Sequence, residues 1–358
     1  MQQPPRILIV TRNLPPLTGG MERLNWHIAR ELASFAEVRV VGPQGSAALA
    51  PPNVLIEEAT AAGLAGFLSK CLIAGLRICL SWRPTLIFAG SGLTAPIAVL
   101  LAKLCGSRSA VYAHGLDLTV KHFIYQHVWL RFIARADVVV VNSLATRLLA
   151  LHAGVREDRI QVVHPGVELP PARAEQLDSC AFRAKHGIGD EKILLSVGRL
   201  TRRKGILEFV SNVLPAIVER FPRCRLVVVG GVPTNALAAS AQSISSIQEA
   251  SSKVGVSANI LFVGTVPDDE LSELYGTANL HVFPVQHLSN DPEGFGMVAI
   301  EAAAHGLATV AFRTGGVPDA VSEGTSGRLI DPGDDAAFAR AAIALMECPL
   351  PVERCRSF

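Results

Sequence analysis

Short apolar runs punctuate the first part of the chain: Arg6-Val10, Val38-Val41, Val54-Ile56, Leu86-Ala89, Ala110-Ala113, Val138-Val141 and Ile160-Val163. Such runs, apolar on both faces, predict strands buried in a parallel sheet, and the longer periodic stretches between them predict helices. The pattern breaks at Pro170-Pro171 and a polar stretch reaching Lys192. It resumes at Ile193-Val197, Leu226-Val229, Ile260-Val263, Leu280-Phe283 and Thr309-Phe312. Two successive series predict an α/β chain of two Rossmann-like, doubly wound parallel-sheet domains, 1–169 and 193–348, joined by a linker at 170–192. Ligands of such sheets gather at the carboxyl ends of the strands, so the two domains are expected to face a cleft. Residues 236–252, rich in Ala, Ser and Gln, read as a helix or a loose loop. Asp335 to Met346 reads as a helix, with Pro349 and Pro351 opening a last segment at 349–358.

Composition agrees with this division. With 358 residues and 49% hydrophobic content the chain can bury two cores, which excludes a disordered or fibrous protein. The net charge is +2, yet residues 1–169 carry about +6 and the remainder about −4. That asymmetry suits an anionic surface or acceptor, whereas the sparse cations and 6% aromatics do not suit nucleic acid. The seven cysteines (71, 79, 105, 180, 224, 348, 355) show no metal-site spacing and read as reduced residues of a cytosolic protein. The start, MQQPPRILIV, shows no signal peptide. Leu64 to Leu80, interrupted by Lys70 and Arg77, reads as a packed helix rather than a membrane span.

Candidate chemistry lies at the ends of predicted strands. Gly19-Gly20 precede a helix and would let backbone N–H groups approach an anion. Arg199 and Lys204, in Gly198-Arg199-Leu200-Thr201-Arg202-Arg203-Lys204-Gly205, are spaced to grip one diphosphate; Arg202 and Arg203 read as solvated. Glu293 sits in a predicted loop and Glu301 in a predicted helix of Asp291-Pro292-Glu293-Gly294-Phe295-Gly296-Met297-Val298-Ala299-Ile300-Glu301. Carboxylates beside backbone N–H groups suit hydroxyl-rich ligands such as sugars and ribose. His114, with Asp117, follows the strand Ala110-Ala113, while Gly315-Gly316-Val317-Pro318 reads as a plain turn. No GxGxxG or P-loop occurs.

In this order, Gly19-Gly20-Met21-Glu22, His114-Gly115, Asn142-Ser143, Pro165-Gly166-Val167-Glu168, Gly198-Arg199-Leu200 with Lys204-Gly205, Glu293-x7-Glu301 and Gly315-Gly316-Val317-Pro318 resemble the retaining glycosyltransferases of family 4, over residues 6 to about 333. The resemblance implies the GT-B fold and transfer of a hexosyl unit from a nucleoside-diphosphate sugar, with retention and with no cofactor or obligatory metal. It implies that Arg199 and Lys204 hold the diphosphate, that Glu293 binds sugar hydroxyls beside the backbone of Phe295, Gly296 and Met297, and that Glu301 binds the ribose. Gly20 would approach the phosphate and His114 the reacting centre. The implied partners are a nucleotide-sugar donor, GDP-mannose-like ahead of a UDP-sugar, a lipid-linked or polysaccharide acceptor, and an anionic membrane surface at the cytoplasmic side. The sequence departs from the family in His164-Pro165-Gly166-Val167-Glu168, where Asn and Asp flank Gly-Val in relatives, and in stopping soon after Pro351, where relatives have a helix returning to the first domain. A non-catalytic sugar-nucleotide-binding subunit and a UDP-sugar 2-epimerase are the competing readings.

Overall fold

The computed structural model describes residues 4–170, 179–232, 241–289 and 291–358. The chain divides into two compact units, Met1–Pro165 and Gly166–Phe358. Residues 171–178 of the expected linker and 236–240 of the Ala/Ser/Gln-rich stretch lie outside the described residues, as does the side chain of Cys180.

In the first unit, strands β1 (Arg6–Val10), β2 (Glu37–Gly42), β3 (Val54–Glu58), β4 (Leu86–Ala89), β5 (Arg108–Ala113), β6 (Val138–Val141) and β7 (Ile160–Val162) form a parallel sheet ordered β3-β2-β1-β4-β5-β6-β7. Alternate side chains of β1 enter opposite layers. Leu8 and Val10 pack with Phe67, Cys71, Ile97 and Leu101, whereas Ile7 and Ile9 pack with Leu14 and Ala29. Each such side chain contributes about 1.5–3 kcal/mol by leaving water, and two covered faces explain why the strands are apolar throughout rather than alternating. The helix Gly63–Trp82 buries Phe67, Cys71, Ala74, Ile78 and Trp82 on one stripe, as expected of a packed helix, although its length and composition would also suffice to cross a membrane.

The second unit repeats the scheme. Strands β8 (Ile193–Val197), β9 (Arg225–Val229), β10 (Ile260–Gly264), β11 (Leu280–Phe283), β12 (Thr309–Phe312) and β13 (Gly327–Ile330) form a parallel sheet ordered β10-β9-β8-β11-β12-β13. Leu194, Leu226 and Val228 face one core layer; Ile193, Leu195, Val227 and Val229 face the other. The helix Asp335–Glu347 starts where the Asp334 side chain accepts from the Ala337 N–H, and the helix Ile244–Lys253 starts where Ser243 accepts from Ser246. Six described cysteines are free, and burial pushes the Cys71 thiol up to about 12. Both sheets reverse strand order once, between β1 and β4 and between β8 and β11. Loops leaving neighbouring strands at such a reversal diverge and open a crevice, which is where ligands of this architecture bind.

Candidate functional site

At the reversal in the second unit, β8 and β11 lie side by side through Leu194↔Leu280 and Leu195↔His281. The loop leaving β8 carries Arg199 to Lys204; the loop leaving β11 carries Asp291 and Glu293. Gly205 lets the two loops meet. Its φ is +69°, and a Cβ there would stand 2.0 Å from the carbonyl oxygen of Pro284. The Gln286 N–H donates to the Arg203 carbonyl at 2.7 Å, which ties the loops together.

The cationic loop makes a 3-10 turn at Arg202–Lys204. Its tight winding sends Arg202 to solvent and turns Arg203 and Lys204 inward. Lys204 Nζ donates to Glu293 Oε2 at 2.8 Å and lies 4.7 Å from the centre of the Phe283 ring. Arg203 Nη1 donates to Asp291 Oδ1 and to the Pro292 carbonyl, each at 3.0 Å, and its Nε is 3.5 Å from Glu293 Oε2. The expectation of a solvated Arg203 is therefore corrected: its side chain is only 13% exposed, because a buried Asp291 and Glu293 require a counter-charge. Arg199 is exposed and acts on both Lys204 and Glu293 electrostatically.

Burial works against the Glu293 carboxylate, but Arg203, Lys204 and Arg199 together outweigh it and hold the carboxyl at about 2. Burial lowers the Lys204 ammonium below its ordinary value, opposed by Glu293 and reinforced by Arg203. The result is an ionised carboxylate packed against cations that water screens little. Gly315 and Gly316, expected as a plain turn, pack against the backbone that carries this carboxylate. The Gly316 N–H donates to the Glu293 carbonyl at 2.8 Å, and a Cβ at Gly316 would stand 2.1 Å from the Gly294 oxygen.

Phe295 is buried in an apolar cluster with Phe283, Val285 and Ala299, so its side chain is core and only its backbone borders the loop. Gly296, at φ +111°, caps the helix Met297–Ala304, whose first-turn N–H groups have no acceptor within the helix. Glu301 lies one turn further on and its Oε2 accepts from the Tyr275 hydroxyl at 3.0 Å. On β11, His281 is fully buried with Nδ1 3.0 Å from Thr309 Oγ1, while its Nε2 has no hydrogen-bond partner among the described residues. Burial and the nearby Lys204 push this imidazole down to about 3.

The first unit holds a second cluster at its own strand reversal. His114 follows β5 and its Nε2 is 3.1 Å from the Gly90 carbonyl, just beyond β4; its backbone N–H donates to Asp117 Oδ2 at 3.0 Å. Burial lowers the imidazole below its usual value, against the pull of Asp117, the Gly90 carbonyl and Glu22. Gly20 opens the helix Gly20–Leu32 and is exposed, and Glu22 in the first turn accepts from Asn13 Nδ2 at 2.7 Å. The sequence reading thus located Gly20 and His114 in one unit and Arg199, Lys204, Glu293, Phe295, Gly296, Met297 and Glu301 in the other. It passed over Arg203, Asp291 as a partner, and Tyr275. An acid two residues before Glu293 was the available signal for Arg203. Among the described residues no three of His, Cys, Asp and Glu converge as a metal ion would need.

The chain matches the family model described as Glycosyl transferases group 1 over residues 178–358 and that of Glycosyltransferase Family 4 over 18–169. It is 28% identical, over 96% of its own length and 90% of the relative's, to the GDP-mannose-dependent alpha-(1-6)-phosphatidylinositol monomannoside mannosyltransferase of Mycolicibacterium smegmatis. Over 63% of its length and 49% of the relative's it is 35% identical to the D-inositol 3-phosphate glycosyltransferase of Acidothermus cellulolyticus. Its fold is similar to that of a glycosyltransferase from Rickettsia africae (TM-score 0.76, 19% identity, 99% and 91% of the two chains). It is also similar to Anabaena HepE in complex with UDP (TM-score 0.71, 19% identity, 98% and 97%).

Proposed function

The chain belongs to the glycosyl transferases group 1 and glycosyltransferase family 4 and is a glycosyltransferase of GT-B fold, and on that premise we propose that it moves a hexosyl unit, with retention, from a nucleoside-diphosphate sugar to a lipid-linked or polysaccharide acceptor of cell-surface glycan synthesis. The reading is carried by the cluster of Arg199, Lys204 and Glu293 at the β8/β11 reversal. A buried ammonium and an exposed guanidinium there would stabilise the charge that develops on a departing diphosphate, work that needs no obligatory metal. Glu293, kept ionised, accepts hydrogen bonds from sugar hydroxyls; Glu301, oriented by Tyr275, accepts them from ribose. His114 is neutral near pH 7, and because the Gly90 carbonyl can only accept, Nε2 carries the proton and Nδ1 is left as an acceptor. In the proposed step the bond from anomeric carbon to diphosphate oxygen breaks and the acceptor oxygen bonds to the same face. The acceptor's proton passes to the departing phosphate.

GDP-mannose is the favoured donor over a UDP-sugar, supported by the GDP-mannose-dependent relative that spans nearly the whole chain. An anionic membrane surface as partner is supported by the first unit. Between Glu58 and Asp137 the chain has eight Lys and Arg but one acid, Asp117. Ile73, Leu80, Leu104, Phe123 and Ile124 are exposed on that stretch. Cations beside exposed apolar side chains are the combination that binds anionic headgroups. The six cysteines that are free among the described residues support the reducing, cytoplasmic side of that membrane.

Calorimetry with GDP, UDP and dTDP in EDTA tests the donor site. Selective binding of one, lost in Arg199→Ala and Glu301→Ala, is the expected result; a folded protein that binds none of the three overturns it.

A further inference from the structure

Glu293 Oε2 is shared unequally between two cations. Lys204 Nζ has made its hydrogen bond at 2.8 Å, whereas Arg203 Nε stands off at 3.5 Å. That Nε is buried and has no hydrogen-bond partner among the described residues, although the same guanidinium is anchored through Nη1 to Asp291 and to the Pro292 carbonyl. A buried N–H left unmade beside a carboxylate is costly, and a short closing movement would satisfy it.

We propose that Arg203 is the positioning residue of the site: it fixes the Asp291–Glu293 loop and takes over Glu293 Oε2 when a diphosphate draws Lys204 Nζ away. This rests on the reading that Lys204 meets the donor's diphosphate. Lys204 has three N–H donors and can bond a phosphate and Glu293 together, but a phosphate that pulls Nζ toward itself lengthens the 2.8 Å bond to Glu293. A buried carboxylate left by the one cation bonded to it among the described residues would resist the change. Arg203 removes that resistance, because its planar fork can keep Asp291 on one edge and close on Glu293 with Nε. The ion pair is thereby exchanged rather than broken, and Glu293 stays ionised to receive sugar hydroxyls. Asp291 Oδ2, buried and without a hydrogen-bond partner among the described residues, marks the anchor as a charge pair rather than a filled hydrogen-bond network.

The exchange is tested by calorimetric titration of the full chain with GDP and with UDP, neither carrying a sugar. Arg203→Gln is expected to weaken binding about ten- to hundredfold, the size of a charged hydrogen bond, because Lys204 is then held by Glu293 alone. Adding Glu293→Gln to that variant frees Lys204 and is expected to restore affinity. A loop merely misplaced by the loss of Arg203 would not recover in this way. Undiminished binding by Arg203→Gln, or a loss that Glu293→Gln fails to restore, overturns the proposal while leaving the donor site intact. Undiminished binding by Lys204→Ala overturns the donor reading itself. Arg203→Lys, which keeps the charge but gives up the fork, supplies the same comparison if the glutamine variant does not fold.

Discussion

The hydroxyl of Tyr275 donates to Oε2 of Glu301 at 3.0 Å, and the pair is backed by His305, whose ring lies 5.1 Å from that of Tyr275 and whose Nε2 meets Ser272 Oγ at 2.8 Å. A carboxylate pinned at one oxygen presents the other in a fixed direction. Tyr275→Phe is therefore expected to weaken nucleoside-diphosphate binding by about 1 kcal/mol, the net worth of one hydrogen bond. Calorimetry with a dideoxyribose analogue gives the check: the penalty should vanish there, and an equal penalty for both nucleotides would separate Tyr275 from the ribose.

Lys204→Ala removes a desolvated cation that neither the exposed Arg199 nor Arg203, bonded to Asp291, replaces. Its expected cost is at least about 2 kcal/mol in kcat/KM. Steady-state kinetics with near-normal turnover would take Lys204 out of the proposed role.

Acid should destabilise the second unit in two stages. The folded protein keeps His281 neutral down to about 3, whereas an unfolded histidine titrates at 6.5. As pH falls below 6.5 only the unfolded chain takes up that proton, and stability is lost from about 6.5 to about 3. Glu293, held at about 2 against an ordinary 4.5, contributes fully above 4.5 and is lost between those values. Melting curves across this range should flatten in their upper part for His281→Asn and in their lower part for Glu293→Gln. Parallel curves for wild type and His281→Asn would contradict the assignment.

Gly316→Ala would drive a Cβ to within 2.1 Å of the Gly294 oxygen and 2.6 Å of its carbon, where only backbone can yield. Overpacking of this kind costs about 1–3 kcal/mol. A lowered melting temperature together with a raised donor KM is expected, because the displaced segment carries Glu293; a lower melting temperature with unchanged KM would uncouple the turn from the site.

For the basic, apolar stretch of the first unit, Leu80→Ser with Phe123→Ser should reduce sedimentation with phosphatidylglycerol vesicles while leaving nucleotide binding alone. Rising salt should weaken the wild type as well, since the attraction is partly Coulombic. Equal sedimentation with neutral phosphatidylcholine vesicles would speak against an anionic surface.

The sheets were legible because strands covered on both faces announce themselves as apolar runs: the runs placed around Leu8, Val40, Val140, Leu195 and Val310 all fall within observed strands. β13 was not foreseen, since Gly327–Ile330 is short and only Gly327 in it is buried. Site residues on loops could be proposed from type and order but not their pairing. Arg202 and Arg203 are identical in sequence character, and only the winding of the 3-10 turn sends one to water and the other to Asp291. Tyr275 was illegible for a related reason: its partner lies 26 residues away, on another helix.

The seam between β8 and β11 consists of two residue pairs, Leu194 with Leu280 and Leu195 with His281. It works as a ruler marked in residues, each step being about 3.3 Å along the strand. Sliding β11 by one mark would turn the His281 imidazole toward the opposite layer and carry Glu293 a full step away from Lys204. Finer adjustment of that gap has to come from the length of a side chain. A change of chain length within either strand would thus move the gap between Lys204 and Glu293 by whole steps, against the ties that join the two loops.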